Sequence, residues 1–463
     1  MFKRILIANR GEIALRVIRA CRALGIETVA VYSEADASSP HLSEADKTVC
    51  IGPGPAGASY LNQTALLQAA LQYQCQALHP GYGFLSENAL FAARCEQQKT
   101  TFIGPRPSSM RLMGDKATAR STMERLGIGG VPGSKDLVLT PEQALAEAEQ
   151  VGYPVLLKAT AGGGGKGMRL CRTPDELPQA FQTARMEAEK AFGNPALYLE
   201  RFVEGGRHIE FQVLGDRYGK VVHLGERECS TQRNNQKLVE EAPSPGVSAE
   251  QRKTLGTRIC AALSELGYVG AGTIELLRAP TGELFFMEMN TRLQVEHPVT
   301  EMVTGVDLVQ WQIRVAAGER LTLDQETIAL TGHAIECRLN AEDPAAGFRP
   351  CPGTLDPFEA PETWRYNMAG PVRLDSHVRS GYTIPTYYDS MIGKLIVYAD
   401  TRAEAIAHMH QALADLQIGG PTTTRDLCQA VMEDAAFVSG DYDTPRMSAM
   451  MRRYADQHNN KGA

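Results

Sequence analysis

No stretch of the chain approaches the roughly 18 consecutive apolar residues needed to cross a bilayer, so no membrane span is expected. The apolar opening around Ile5-Leu6-Ile7-Ala8 is broken at once by Asn9, Arg10 and Glu12. It lacks the long apolar core and small-residue cleavage site of a secretory signal and reads as a first buried strand. Basic residues are not in excess: 47 Lys and Arg against 54 Asp and Glu leave a net charge of −7. A general nucleic-acid binder shows the opposite balance, so neither nucleic acid nor membrane is expected as a partner. No two of the ten cysteines have the C-x-x-C spacing of a zinc or redox pair. Scattered over a long chain, they fit reduced thiols in a cytoplasmic protein. What is present is ordinary for a globular protein, 43% hydrophobic and 22% charged. At 463 residues, about three domains are expected.

Two familiar nucleotide loops are also missing. Strand and helix patterns alternate from the start: a strand at Ile5–Ala8, a helix through Ile13–Cys21, strands at Thr28–Tyr32 and Ala77–His79, and a helix at Ala65–Ala70. Such repetition predicts a parallel sheet covered by helices, an α/β arrangement. The first turn is Asn9-Arg10-Gly11-Glu12, not the G-x-G-x-x-G of a dinucleotide fold. The layout is Rossmann-like without that loop. Farther on, Gly-Lys is never followed by Ser or Thr, which excludes a Walker A loop.

A different glycine loop stands at Lys158-Ala159-Thr160-Ala161-Gly162-Gly163-Gly164-Gly165-Lys166-Gly167-Met168. A strand at Pro154–Lys158 delivers Lys158 to five glycines. Glycine lets backbone N–H groups curl close to phosphate oxygens, and Lys158 and Lys166 add positive charge. The alternative, a linker without a ligand, does not call for four consecutive glycines and their entropy cost. The loop sits in a piece bounded by Gly127–Gly133, helices at Pro141–Glu149 and Asp175–Ala191, and a strand at Leu197–Glu200. A piece that small can move as a lid. Strands follow at Ile209–Leu214, Val221–Leu224, Gly272–Leu277 and Leu284–Met289, around a helix at Ser248–Leu266. The last hundred residues alternate again (Ala334–Leu339, Lys394–Tyr398, Arg402–Leu416), and the polar end from Gln457 is expected to fray.

Glu275, Glu288 and Asn290 lie in otherwise apolar strands. Burying acids there is costly unless they are paired or bound to metal. Two carboxylates and an amide oxygen are hard ligands suited to Mg²⁺ or Mn²⁺, although an exposed face with salt bridges remains the alternative. Directly after them, Arg292-Leu293-Gln294-Val295-Glu296-His297-Pro298 gathers a guanidinium, an amide, a carboxylate and an imidazole. That density suits an oxyanion held by Arg292 and deprotonated by Glu296. His297 precedes a proline, and a purely structural role is open for it.

Together these pieces resemble the ATP-grasp superfamily and, within it, the biotin carboxylases, in particular those of bacterial acetyl-CoA carboxylases. The resemblance runs from Ile5–Ala14 to about residue 447. It passes through His79–Asn88, Gln236–Pro243, His333–Arg338 and Tyr388–Lys394. It implies a Rossmann-like N-terminal domain over 1–114 and an ATP-grasp region over 115–330, with a mobile lid at about 131–203. A biotin carboxylase C-terminal domain over 331–447 and a polar tail over 448–463 complete it.

By the same resemblance, Lys116 and Lys158 contact ATP phosphates, and Gly162, Gly163, Gly164, Gly165, Gly167 and Met168 form the loop over them. Glu200, Arg201, Phe202 and Val203 form the adenine hinge, and His208 and Asn235 lie at nucleotide contacts. Glu275, Glu288 and Asn290 bind the metal, two ions being expected. Lys237, Arg292, Gln294, Val295 and Glu296 hold bicarbonate, with Glu296 as general base. Arg338 stabilises the biotin enolate. Bicarbonate would attack the γ-phosphate of ATP to give carboxyphosphate, and the CO₂ released would carboxylate biotin on a separate carrier protein. Separate carboxyltransferase subunits and a homodimer are implied as well, with Arg16 and Arg19 as interface candidates or simply a solvated helix face.

The sequence departs from the family in three places. Asn234-Asn235 replaces Arg-His, Arg201 replaces a common Lys, and the glycine loop is one glycine short. Another ATP-grasp ligase would share the loop and acids but not the Arg292, Glu296 and Arg338 set. A nucleotide-sensing protein would not need the acids. A multifunctional carboxylase is disfavoured by the length and by the lack of a Met-Lys-Met motif. Service in a biotin-dependent carboxylase other than acetyl-CoA carboxylase stays open.

Overall fold

The computed structural model describes residues 1–134, 136–159 and 167–459. The chain divides into two compact units. The first comprises Met1–Gly114, His208–Glu275 and Met289–Ala463, and the second Asp115–Arg207 and Leu276–Glu288.

The first unit begins with a parallel sheet of β1 (Arg4–Ile7), β2 (Glu27–Tyr32), β3 (Lys47–Cys50), β4 (Ala77–His79) and β5 (Thr101–Phe102), in the order β3-β2-β1-β4-β5. Ile5, Leu6 and Ile7 are fully buried. An uninterrupted apolar run is what a parallel strand covered on both faces requires. The helix Gly11–Ala23 lays Ile13, Val17 and Cys21 on the sheet and stops before Gly25, whose φ of +68° suits a helix end. Asn9 takes over the first turn. Its Nδ2 donates to the Pro80 and Tyr82 carbonyls at 2.7 Å each. It crowds Gly81, where a Cβ would meet it at 2.9 Å.

An eight-stranded sheet carries the rest. Its strands include β9 (Arg207–Gly215), β10 (Val221–Arg233), β11 (Gln236–Ala242), β12 (Gly270–Arg278), β13 (Leu284–Asn290) and β14 (His333–Asn340). The order is β13-β12-β9-β10-β11-β14, then Met391–Ala399 and Val372–Asp375. The expected α/β class therefore holds: a parallel N-terminal sheet precedes an antiparallel one.

Sequence periodicity misses β11 and underestimates β10. Both are rich in charged and amide residues, which β propensity disfavours, and both are kept in the sheet by tertiary partners. Asn234 and Asn235 form the two-residue turn between them, with φ of +48° and +63°. Both central residues of such a hairpin turn need positive φ, which asparagine tolerates well. The departure from Arg-His thus has a backbone reason.

Two readings are corrected. The polar end expected to fray from Gln457 is helical as far as Asn459: a helix runs from Thr444 to Asn459, and its Met447, Met450 and Met451 join the core of the first unit, while residues 460–463 lie outside the described residues. Arg16 is not on a solvated face. It is buried and bonded to Glu301 at 2.8 Å and Asp307 at 2.7 Å. Arg19 lies over the Tyr366 ring.

In the second unit, β6 (Val155–Ala159), β7 (Met168–Cys171) and β8 (Leu197–Arg201) form a sheet in the order β7-β6-β8. Helices Pro141–Val151 and Leu177–Phe192 accompany it, and Val155, Leu157, Phe181 and Leu199 fill its core.

Candidate active site

Strands β11 and β14 pair antiparallel, with Glu240 directly opposite Glu336 and Val239 opposite Cys337. They bring Lys237 and Arg338 to one carboxylate, Glu296, at the start of the helix His297–Thr304. Lys237 Nζ donates to Glu210 Oε2 at 2.5 Å, Glu296 Oε1 at 2.6 Å and Glu275 Oε1 at 3.0 Å. Arg338 Nη2 donates to Glu296 Oε2 at 2.9 Å, and its Nε to Glu240 Oε1 at 2.6 Å.

Burial works to raise the Glu296 carboxyl pKa. Lys237, Arg338 and Arg227 overcome it and hold the group well below the ordinary range. Glu275 behaves likewise: burial is overcome by Lys237 and His208, and the carboxylate stays ionised. Burial disfavours the Lys237 ammonium, but three carboxylates hold it well above its usual value. His208 lies 3.3 Å from Glu275, and burial, which would lower its pKa, is outweighed by that carboxylate.

The segment before Glu296 is fixed at several points. Arg292 donates from Nε to Glu87 at 2.9 Å, from Nη1 to Gln294 at 2.7 Å and from Nη2 to Asn290 at 3.2 Å. Gln294 and Asn290 donate to Glu275 at 3.1 and 2.8 Å. The Val295 carbonyl accepts from buried Lys394 at 2.8 Å. His297 is buried, and its Nδ1 is 2.8 Å from the Gln294 carbonyl, a structural contact. Of the residues expected for the oxyanion and metal chemistry, Lys237, Glu275, Asn290, Arg292, Gln294, Glu296 and Arg338 therefore share one connected network, while Val295 is held separately by Lys394.

The remaining expected residues fall in the second unit or at the hairpin. Lys158 pairs with Glu200, which also accepts from Arg120 at 2.6 Å. Lys116 is 3.0 Å from Glu288. Arg201 N–H donates to the Pro132 carbonyl at 2.7 Å and Phe202 N–H to the Pro154 carbonyl at 2.8 Å, and Val203 follows directly. Met168 pairs with Lys158 across β6 and β7, and Gly167 has a φ of +71°. Gly162, Gly163, Gly164 and Gly165 lie outside the described residues. Asn235 sits at the tip of the β10–β11 turn.

For a divalent cation, the chemistry of the donors decides the fit. Among the described residues, two clusters bring ligand atoms within 4.8 Å of one another: His208, Glu210 and Glu275, and Glu210, Cys229 and Glu296. Burial holds the Cys229 thiol well above its usual pKa, so it stays protonated and does not suit a hard ion. Glu275 is an ionised oxygen donor with Asn290 beside it, which does suit one.

Sequence reading overlooked Glu210, which shares Lys237, along with Glu240, which holds Arg338, and Glu87, which orients Arg292. Glu210 is an acid in an expected strand, as Glu275 is, but nothing in the sequence pairs it with Lys237, and Glu240 lies in β11, which sequence periodicity misses.

Residues 115–324 match the family model described as the carbamoyl-phosphate synthase L chain, ATP binding domain, which defines an ATP-dependent ligase of the ATP-grasp type. Residues 1–110 match the biotin carboxylase N-terminal domain, and residues 336–448 its C-terminal domain. The chain belongs to the biotin carboxylase family, whose members are ADP-forming ligases. It is 54% identical to a biotin carboxylase of Nostoc sp., over 97% of this chain and 99% of that one. The biotin carboxylase domain dimer of Hydrogenobacter thermophilus 2-oxoglutarate carboxylase was solved with MgADP, ADP and bicarbonate. It superimposes with a TM-score of 0.89 at 49% identity, covering 97% of this chain and 98% of that one. A Campylobacter jejuni biotin carboxylase in a β,γ-ATP complex gives 0.90 at 45% identity, covering 97% and 99%. Among the described residues no helix is long and apolar enough to cross a membrane.

Proposed function

We propose that the chain carboxylates biotin on a separate carrier protein, using ATP and bicarbonate, as the biotin carboxylase subunit of an acetyl-CoA carboxylase. The observation that carries the reading is Glu296 held between Lys237 and Arg338, a base flanked by two cations for anionic reactants.

Arg292, Gln294, the Val295 backbone and Lys237 hold bicarbonate, and Glu296 takes its proton. The oxygen so freed attacks the γ-phosphorus of ATP, ADP leaves, and carboxyphosphate decomposes to CO₂ and phosphate. The phosphate so released takes the N1′ proton of biotin, and Arg338 stabilises the negative charge on the ureido oxygen while N1′ attacks CO₂. With both cations turned on Glu296 its basicity is low. Anionic reactants draw Lys237 and Arg338 toward themselves, and the base regains strength when it is needed.

Glu275 and Asn290, with Glu288, hold Mg²⁺ or Mn²⁺, which supplies charge neutralisation for phosphoryl transfer. Lys116, Lys158 and the glycine loop, Gly162 to Met168, take the phosphates, and Glu200 to Val203 the adenine, with His208 and Asn235 nearby. The domain limits 1–114, 115–330 and 331–447, with a lid at about 131–203, belong to the same reading. So do a homodimer, separate carboxyltransferase subunits and a cytoplasmic location. The likeness to the small subunit of 2-oxoglutarate carboxylase supports a second reading, service in another biotin-dependent carboxylase.

Biotinylated carriers from acetyl-CoA, 2-oxoglutarate and pyruvate carboxylases, offered separately, distinguish the two. The acetyl-CoA carrier is expected to give the highest kcat/KM. A higher value with either other carrier overturns that assignment.

A further inference from the structure

We propose that Glu240 is a positioning residue for biotin carboxylation: from β11 its carboxylate grips the Nε edge of Arg338 and turns the guanidinium's open edge toward the biotin oxygen. The inference rests on the reading of Arg338 given above and deepens it.

The guanidinium is a rigid planar fork, so two contacts fix its plane. Glu240 Oε1 takes Nε at 2.6 Å and Glu296 Oε2 takes Nη2 at 2.9 Å. Among the described residues Nη1 has no hydrogen-bond partner, and the side chain is 16% exposed. One edge is therefore left for a reactant. Without Glu240 the same cation would close on Glu296 with both arms, which would tie up the base and turn the open edge away. Glu240 thus orients the cation and keeps it from monopolising the base.

The surroundings suit that task. Glu240 is buried, and among the described residues its Oε2 has no hydrogen-bond partner. Directly across the ladder, Glu336 is buried, and among the described residues neither of its oxygens has a hydrogen-bond partner. The charged and titratable groups facing the pair are Arg338 and Cys337 on β14, Glu296, Lys237 on β11 itself, Cys229 on β10, and Lys394 on Met391–Ala399. Burial pushes the Glu336 carboxyl well above the ordinary range, which favours its neutral form. Burial, opposed by Arg338, pushes Glu240 up to about 7. One negative charge therefore faces Arg338 from this side above neutrality, and it is lost as the pH falls below about 7.

The test measures carboxybiotin formation and bicarbonate-dependent phosphate release side by side, from pH 6 to 8.5, in wild type, Glu240→Gln and Glu240→Ala with free biotin. Partners of an active group typically contribute about 10–100-fold. Glu240→Ala should lower carboxybiotin formation by about that factor relative to phosphate release. Glu240→Gln keeps a neutral acceptor for Nε. It should recover part of the loss but lack the wild-type rise in carboxybiotin rate through neutrality. Parallel losses of both activities in both variants, or a wild-type pH profile in Glu240→Gln, overturn the positioning role. Failure of the wild-type protein to form carboxybiotin would instead remove the reading of Arg338 itself.

Discussion

Lys237→Met removes the ammonium that three buried carboxylates share and keeps much of its apolar stem. Its contacts are 2.5, 2.6 and 3.0 Å long. At an effective dielectric constant of 20, two unit charges about 4 Å apart attract by about 4 kcal/mol, so three such pairs give a gross attraction of about 12 kcal/mol. Dehydrating the ions offsets most of this, and measured losses on breaking a buried pair are about 3–5 kcal/mol. Arg227 still faces Glu210 and Arg338 still faces Glu296, so the lower end of that range is expected. Glu275 and Glu296 are held below the ordinary carboxylate range. The stability they draw from Lys237 is complete above the unfolded-state value and fades as the pH falls below it. The gap in melting temperature between wild type and Lys237→Met should therefore be wide at pH 8 and narrower at pH 4. Bicarbonate-dependent phosphate release should fall by about 10²–10³-fold, the usual range for losing one preorganised charge-stabilising group. Thermal melts at both pH values and phosphate release at pH 8 check this. Equal melting temperatures at pH 8, or a gap that does not change with pH, would refute the reasoning.

Three further outcomes follow from the same network. Glu296→Ala should depress both phosphate release and carboxybiotin formation, by about 10²–10⁴-fold for loss of a general base. Arg338→Gln should lose carboxybiotin formation disproportionately, and equal losses of both activities would contradict its role. Glu275→Gln should raise the Mg²⁺ concentration needed for half-maximal ATP turnover, because it removes a charged hard ligand; an unchanged metal titration removes it from the site. Glu241 is buried against His333, Arg402 and Tyr442. Burial works against ionisation, but His333 and Arg402 bring its pKa down from 4.5 to about 2, a difference of about 3 kcal/mol. Glu241→Gln should cost stability of that order at pH 7 and progressively less as the pH falls from 4.5 toward 2, read by denaturation at both ends.

How far the sequence reveals the fold depends on what holds each element in place. Strand β1 and the helix after it are local: Ile5-Leu6-Ile7 and the spacing of Ile13, Val17 and Cys21 carry their own periodicity. The Arg292 to Glu296 cluster was legible from its density of polar side chains and Arg338 only through the family resemblance; hydrogen bonds through Gln294, Glu275, Lys237 and Glu296 link them in the structure. Strand β11 was not legible, because Gln236, Lys237, Glu240 and Glu241 look like a polar loop until their ion partners arrive from elsewhere in the chain. The same holds for Glu210 and Glu87, whose meaning lies in Lys237 and Arg292, distant in sequence. Arg16 misled for the converse reason: helix position gave no sign that Glu301 and Asp307 would bury it. The final helix escaped notice because its three buried methionines are diluted among polar neighbours.

The central claim is that this chain joins bicarbonate to biotin at the expense of ATP. Its most direct measurement is transfer of labelled carbon from bicarbonate to free biotin by the wild-type protein, with phosphate release followed in the same samples. The account predicts acid-labile carboxybiotin only when ATP, a divalent cation and bicarbonate are all present. It also predicts phosphate release that depends on bicarbonate. Phosphate release indifferent to bicarbonate, or full ATP turnover with no label in biotin, would contradict it.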